Sequence, residues 1–303
     1  MAPIRGIITA LVTPFDGKGM VDEAALRDIV EFQVKGGVHG FFPLGTTGLG
    51  PALTPDERKQ VAEAVVDQVR GRVPVMIQVG TADTPTTVTL ARHAEKVGAD
   101  AVAVVGPYYY KHGERELIEH YRAVGEATAL PLFIYNNPRL SGVDVGPELT
   151  VRMREVIPTL TGVKVSNDSI KQHLRYLHLL PKEFTILAGF FEYLQALVPL
   201  GVKGAISPSA NFFPALCRSL WDALEAGETE RATLLQQRVN YASGPIWTFL
   251  IERAAWGVFA EYFRACGLRV TQYPRWATPP LGEADAAEVR QALAKAGVLP
   301  ASL

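Results

Sequence analysis

The sequence predicts an α/β chain folded as a (β/α)8 TIM barrel with an appended layer of C-terminal helices. Three observations carry that expectation. Short apolar runs alternate with helix-like segments eight times. The runs start roughly 20 to 35 residues apart, about the length of a βαβ repeat. Everything after the eighth run reads as helix. Alternation of this kind implies right-handed crossovers and a parallel sheet. Eight units favour a closed barrel over an open doubly wound sheet, and no GxGxxG follows the first run to suggest a dinucleotide fold.

The strand-like runs are Ile4 to Val12, His39 to Leu44, Val73 to Val79, Ala101 to Val105, Pro131 to Tyr135, Leu160 to Val165, Phe184 to Ala188 and Gly204 to Ser207. Asp22-Glu23 opens the first helix, which ends at Gly36-Gly37. Thr54-Pro55-Asp56-Glu57 opens the second with a threonine N-cap, a first-turn proline and a capping-box glutamate. Further helices are expected over Pro85 to Val97, Glu114 to Ala127, Pro147 to Val156, Ile170 to Leu180 and Phe190 to Leu200. The C-terminal part predicts helices from Pro214 to Ala226, Thr229 to Ala242, Pro245 to Cys266 and Asp285 to Ala296. This divides the chain into a barrel over residues 1–226 and packed helices over 227–303, with Gln272 to Gly282 a proline-stiffened loop.

The 303 residues are 48% hydrophobic, ample for a large core. With 30 basic and 31 acidic side chains, charge offers no case for nucleic acid or an anionic membrane as partner. Two cysteines, Cys217 and Cys266, cannot build a disulfide framework and fit a reducing compartment. The apolar run Ile7 to Val12 is too short to span a bilayer. The expectation is a soluble, cytoplasmic, unprocessed protein.

Barrel active sites lie at the C-terminal ends of the strands. By that criterion one mouth gathers Gly45-Thr46-Thr47-Gly48, Tyr108-Tyr109-Tyr110, Tyr135-Asn136-Asn137-Pro138, Lys164 with Ser166, Ala188-Gly189 and Ile206-Ser207. The six histidines are dispersed, none with metal-ligand spacing, so no metal is expected. Lys164 stands inside an apolar strand, where an ammonium is costly. It either snorkels to water at the strand's end or is a buried amine of lowered pKa poised to attack a carbonyl. An amine among phenols suggests Schiff-base chemistry, with a phenol as proton shuttle. The 45–48 turn offers N–H groups and hydroxyls to a 2-oxo acid's carboxylate, although such a turn alone is usually just a turn.

These motifs, in this order, resemble the dihydrodipicolinate synthase/N-acetylneuraminate lyase family of Schiff-base-forming 2-oxo-acid aldolases: GTTG at 45–48, PYYY at 107–110, YNNP at 135–138, GVK at 162–164, AG at 188–189 and GAIS at 204–207. The resemblance spans the chain from Thr13-Pro14-Phe15 to the C-terminal helices. It implies that Lys164 is the imine lysine and Tyr135 the proton-transferring tyrosine. It further implies that Thr47 links Tyr135 to Tyr109, a second tyrosine given across a dimer interface. Thr46 and Thr47 would bind the carboxylate, with Gly189 and Ile206 around the pyruvyl group. A homotetramer built as a dimer of dimers, with no cofactor, is implied as well.

Among the branches, GTTGLGPALT and GPYYY look most like 2-keto-3-deoxygluconate aldolases, and Ser166 stands where such enzymes keep a hydroxyl. The expected reaction is therefore cleavage or formation of a 2-keto-3-deoxy sugar acid from pyruvate and an aldehyde. A dehydratase could use the same enamine. The alternative is a synthase condensing pyruvate with aspartate semialdehyde. Its YNVPxR pattern is departed from here, since Leu140 holds the arginine position and Arg139 comes one residue early. The lyase's sugar-binding acid is replaced by Phe191, with Glu192 next to it. A non-catalytic 2-oxo-acid binder is the alternative of another class.

Overall fold

The computed structural model describes residues 3–167, 169–252, 256–271 and 281–299. Among them eight strands form one parallel sheet: β1 (Gly6–Ala10), β2 (Gly40–Phe42), β3 (Met76–Gln78), β4 (Ala101–Val105), β5 (Leu132–Asn136), β6 (Leu160–Val165), β7 (Thr185–Ala188) and β8 (Gly204–Ser207). Sequential strands are neighbours, β8 pairs with β1, and a parallel bridge between Phe41 and Val75 joins β2 to β3. The sheet thus closes on itself as a (β/α)8 barrel, as predicted.

Crossover helices cover the outside: α1 (Glu23–Lys35), α2 (Pro55–Val69), α3 (Thr84–Lys96), α4 (Glu114–Ala127), the short α5 (Pro138–Ser141), α6 (Pro147–Val156), α7 (Ile170–Leu179), α8 (Leu194–Leu197) and α9 (Pro214–Glu225). The α2 start was legible: Thr54 accepts from the Glu57 N–H while the Glu57 carboxylate accepts from the Thr54 N–H. Beyond α9 come α10 (Thr229–Trp247), a π-helical turn (Thr248–Glu252), α11 (Gly257–Ala265) and α12 (Glu283–Lys295).

Two expected helices differ. The segment Phe190 to Leu200 is no single helix: a turn at 190–193 leads into α8 and a 3-10 turn, Val198–Leu200, containing Pro199. That turn is gripped from α10, where Gln236 Nε2 donates to the Phe191 carbonyl and Oε1 accepts from Gln195 N–H. The second difference is at Pro245, expected to open a helix but lying inside α10. Proline supplies no N–H to the helix, and the chain responds just beyond it with the π-helical turn, a usual accommodation of a disturbed ladder. The loop expected over Gln272 to Gly282 falls largely outside the described residues. Of the six histidines, His120 and His173 are buried, and each leaves a buried Nε2 without a partner among the described residues.

A separate apolar cluster fills the barrel's interior, including Ile8, Phe42, Met76, Phe133, Leu187 and Ile206. Side chains two apart on a strand share a face, so Gly162, Lys164 and Ser166 follow one another up the inside of β6. Gly162 sits in register with Phe133, and a Cβ there would lie 2.1 Å from the Phe133 ring. The glycine lets that ring fill the barrel directly below Lys164. None of the described helices is long and apolar enough to cross a membrane.

Candidate active site

Lys164 is 4% exposed and does not snorkel. Its Nζ lies 4.3 Å from the centre of the Phe42 ring and 4.1 Å from that of Tyr135. Burial alone lowers its pKa from the ordinary 10.5 to about 7. About half of such amines are neutral at pH 7, against roughly one in three thousand for an exposed lysine.

Register puts Tyr135 beside it, because Tyr135 on β5 pairs directly with Lys164 on β6. The Tyr135 ring meets Phe42 edge-on at 5.4 Å. Its hydroxyl is 3.0 Å from Thr46 Oγ1 and accepts from Asn137 Nδ2 at 3.0 Å. Burial pushes the phenol above its ordinary pKa, while hydrogen bonds from Thr46, Asn137 and Ser166 pull the other way. The strand end is pinned by Asn136, whose amide donates to Asp144 Oδ1 and accepts from the Val145 N–H.

The threonine assignment needs correction. Within the chain it is Thr46, not Thr47, that reaches Tyr135. The reason is the turn's backbone. Leu44 and Leu49 on either side have φ of 64° and 55°, the left-handed region. Thr46 O accepts from Leu49 N–H, Gly45 O from Gly50 N–H, and Gly48 O from Thr13 Oγ1. This winding aims the first threonine at the phenol, and Thr47 lines the same cavity beside it.

The cavity above Lys164 has a volume of about 320 Å³. Thr46, Thr47, Tyr135 and Lys164 line it, as do Ser166, Gly189 and Ile206. The predicted residues therefore converge, with one exception. Tyr109 is 86% exposed, away from this cavity, and stacks edge-on against Tyr110 at 5.0 Å. Its φ is 82°, a strained conformation for an aromatic residue and worth about 1–3 kcal/mol. Gly189 is held to glycine by crowding, since a Cβ there would lie 2.4 Å from Ser166 Oγ.

Sequence reasoning missed several lining residues. Asn137 stood in the sequence only as part of the YNNP motif, yet its amide completes the Tyr135 hydrogen bonds. Arg139 and Leu140, named from the sequence only as a departure from the synthase pattern, reach the cavity from α5. Trp247, Leu250 and Trp256 come from the C-terminal helical layer, more than 80 positions from Lys164 in the chain. No local pattern signals such a contact. Phe191 is fully buried, while Phe190 is the residue that lines the cavity. The neighbouring Glu192 accepts from Trp247 Nε1 at 2.7 Å.

Comparison with known proteins gives the family. The family model of the dihydrodipicolinate synthetase family matches residues 3–296. A 4-hydroxy-tetrahydrodipicolinate synthase of Acidiphilium cryptum is 35% identical over 295 residues, covering 97% of this chain and 99% of that one. The synthase of Nitrobacter hamburgensis is 41% identical over 235 residues, 78% of this chain and 79% of its own. Among solved structures, YagE of E. coli K12, a prophage protein of the dihydrodipicolinic acid synthase family in complex with pyruvate, superposes with a TM-score of 0.92 at 30% identity, covering 98% of this chain and 100% of that one. The chain belongs to the dihydrodipicolinate synthetase family, whose enzymes are class I aldolases and lyases working through a lysine Schiff base.

Proposed function

We propose that the chain makes or breaks a carbon–carbon bond next to pyruvate through an imine on Lys164. The observation that carries this reading is the amine itself: 4% exposed, lowered to about 7, and set against a phenol at the catalytic end of the barrel. Neutral Lys164 Nζ adds to the C2 carbonyl of pyruvate. Tyr135 delivers the proton with which the oxygen leaves as water, giving the protonated imine. Loss of a C3 proton gives the enamine. The enamine's electron pair at C3 forms a bond to an aldehyde carbon, whose oxygen takes a proton. Water then hydrolyses the imine and frees Lys164. Cleavage is the reverse. The Thr46-Thr47 turn holds the pyruvate carboxylate, Gly189 leaves room for the pyruvyl group, and Ile206 floors it.

Exposed, strained Tyr109 fits a role in a second copy of the chain, where it would meet the Thr46–Tyr135 pair across an interface in a dimer of dimers. Asn137 is a positioning residue, because its amide donates into the phenol oxygen and favours the ionised form. Replacing it by valine is expected to cut kcat about tenfold, the value of one hydrogen bond to a charged group, and to move the basic limb of the pH–rate profile upward. An unmoved profile would remove Asn137 from this role.

Two lining residues bear on the aldehyde. Ser166 supports the sugar-acid reaction expected from the sequence. Arg139, exposed at the cavity mouth, supports the synthase alternative, since it could receive the carboxylate of aspartate semialdehyde. The imine itself is tested by incubating the protein with pyruvate and borohydride. The expected outcome is a carboxyethyl group on Lys164 in the peptide map; a map with Lys164 unlabelled sinks the reading.

A further inference from the structure

The cavity is lined by two unlike sets of residues. One is polar and gathers around the Tyr135–Lys164 pair: two threonines, a phenol, an amide and Ser166. The other is apolar: Phe190, Pro208, Trp247, Leu250 and Trp256, with Leu140 largely exposed. Arg139 lines the same cavity and is exposed to solvent. The aromatic wall is also fixed. Phe190 and Trp247 meet at 5.6 Å with their planes tilted by 56°. The Trp247 indole is held by its N–H to Glu192 Oε1, and the Glu192 backbone carbonyl accepts from Asn240 on α10. Phe190 leans in addition on Tyr193 at 6.1 Å. The turn after β7 and the end of α10 are thereby locked together as one surface.

A polyhydroxylated aldehyde set against these apolar residues would shed water from several hydroxyls and find few partners there, a loss that apolar walls do not return. A flat apolar group would be covered on several sides and gain aromatic contacts.

Resting on the imine reading above, we propose that the apolar lining forms an aryl subsite, so that the chain joins pyruvate to an aromatic aldehyde, or releases one from a 4-aryl-4-hydroxy-2-oxobutanoate. The balance is that of an aldol addition. The enamine carbon forms the new bond to the aldehyde carbon, the aldehyde oxygen takes a proton, and water returns the 2-oxo group. Nothing is oxidised or reduced. The ring lies against Phe190 and Trp247, among the other apolar lining residues, while the carbonyl carbon faces the enamine on Lys164.

The test uses the full chain with pyruvate and three aldehydes in parallel: benzaldehyde, glyceraldehyde and aspartate semialdehyde. Products are quantified by mass spectrometry. Borohydride trapping of pyruvate on the same preparation reports the imine separately. The expected result is kcat/KM for benzaldehyde about 100-fold above glyceraldehyde, the scale of discrimination that pocket shape and polarity supply. Trp247→Ala is expected to lower that ratio about tenfold by removing an aromatic contact, and partly exposed Phe190→Ser to lower it in the same direction. Because the readout is a ratio, a simple loss of folded protein does not imitate the effect. Preference for glyceraldehyde or aspartate semialdehyde with trapping intact overturns the aryl subsite and leaves the imine standing. A benzaldehyde preference that neither substitution alters also overturns it. Absence of trapping overturns the imine reading beneath both.

Discussion

Lys164→Met is expected to abolish turnover and, at neutral pH, to make the protein more stable. The first effect follows from removing the nucleophile: a loss of roughly 10⁴-fold or more, the scale seen when a covalent catalytic group is deleted. The second follows from the burial that activates the amine. Folding takes the ammonium out of water, and its pKa falls from 10.5 to about 7. Between those values the unfolded chain binds a proton that the folded chain does not, so stability rises with pH from about 7 to about 10.5. Below pH 7 the folded protein carries the full cost of the buried charge. The difference amounts to about 4 kcal/mol at pH 7. Methionine has similar length, no charge, and keeps apolar contact with Phe42 and Tyr135. Thermal melts of both proteins from pH 6 to pH 10 test this. The variant should melt higher at pH 7, and the gap should close towards pH 10. Equal melting temperatures throughout would mean that Lys164 is solvated and that its reactivity has another source.

The same residue explains why so much was legible in the sequence. A lysine in an otherwise apolar strand is conspicuous because strands of a parallel barrel are apolar on both faces. The β6 pattern also carries its own geometry, since residues 162, 164 and 166 must share a side whatever the rest of the chain does. Thr54 and Glu57 were readable for a similar reason: a capping box is closed within four residues. What stayed hidden depended on distance or on backbone torsion. Which of Thr46 and Thr47 faces Tyr135 is decided by positive φ at Leu44 and Leu49, and leucine gives no sign of such a conformation. Pro245 read as a boundary because proline ordinarily is one, yet packing carried α10 two residues beyond it. The apolar lining of the cavity was the largest omission. Trp247, Leu250 and Trp256 look like ordinary core residues of a helical layer, and only the folded chain brings them into the cavity that Lys164 lines. Phe190 and Phe191 after β7 already read as more apolar than a sugar acid calls for, but the expected substrate leaned on the polar motifs and missed what the C-terminal helices add.

Tyr135→Phe separates a catalyst from a protein that merely holds a 2-oxo acid. The phenylalanine keeps the ring that lies 4.1 Å from Lys164 Nζ and 5.4 Å from Phe42, so the amine's burial is unchanged. What disappears is one hydroxyl, and with it the acceptor for the Asn137 amide and the partner of Thr46. Asn137 is buried and loses its shorter hydrogen bond, keeping the 3.5 Å bond from Nδ2 to Thr46 Oγ1, so the cost in stability is about 1 kcal/mol. Thr46 is only partly buried and can turn to water. The chemical effect is larger. Without a positioned acid, hydroxide must leave the carbinolamine and the enamine must form with solvent as proton carrier, which costs about 10²- to 10⁴-fold in kcat. Borohydride should still label Lys164 with pyruvate, but slowly, because the nucleophile remains. Thr46→Val provides the comparison: it spares the hydroxyl of Tyr135 and removes the hydrogen bond that orients it, so its kcat should fall between those of the two proteins. If Tyr135→Phe trapped pyruvate and turned over aldehydes at the original rates, the proton would have to travel by another group, and the pairing of Tyr135 with Lys164 across β5 and β6 would be a packing arrangement alone.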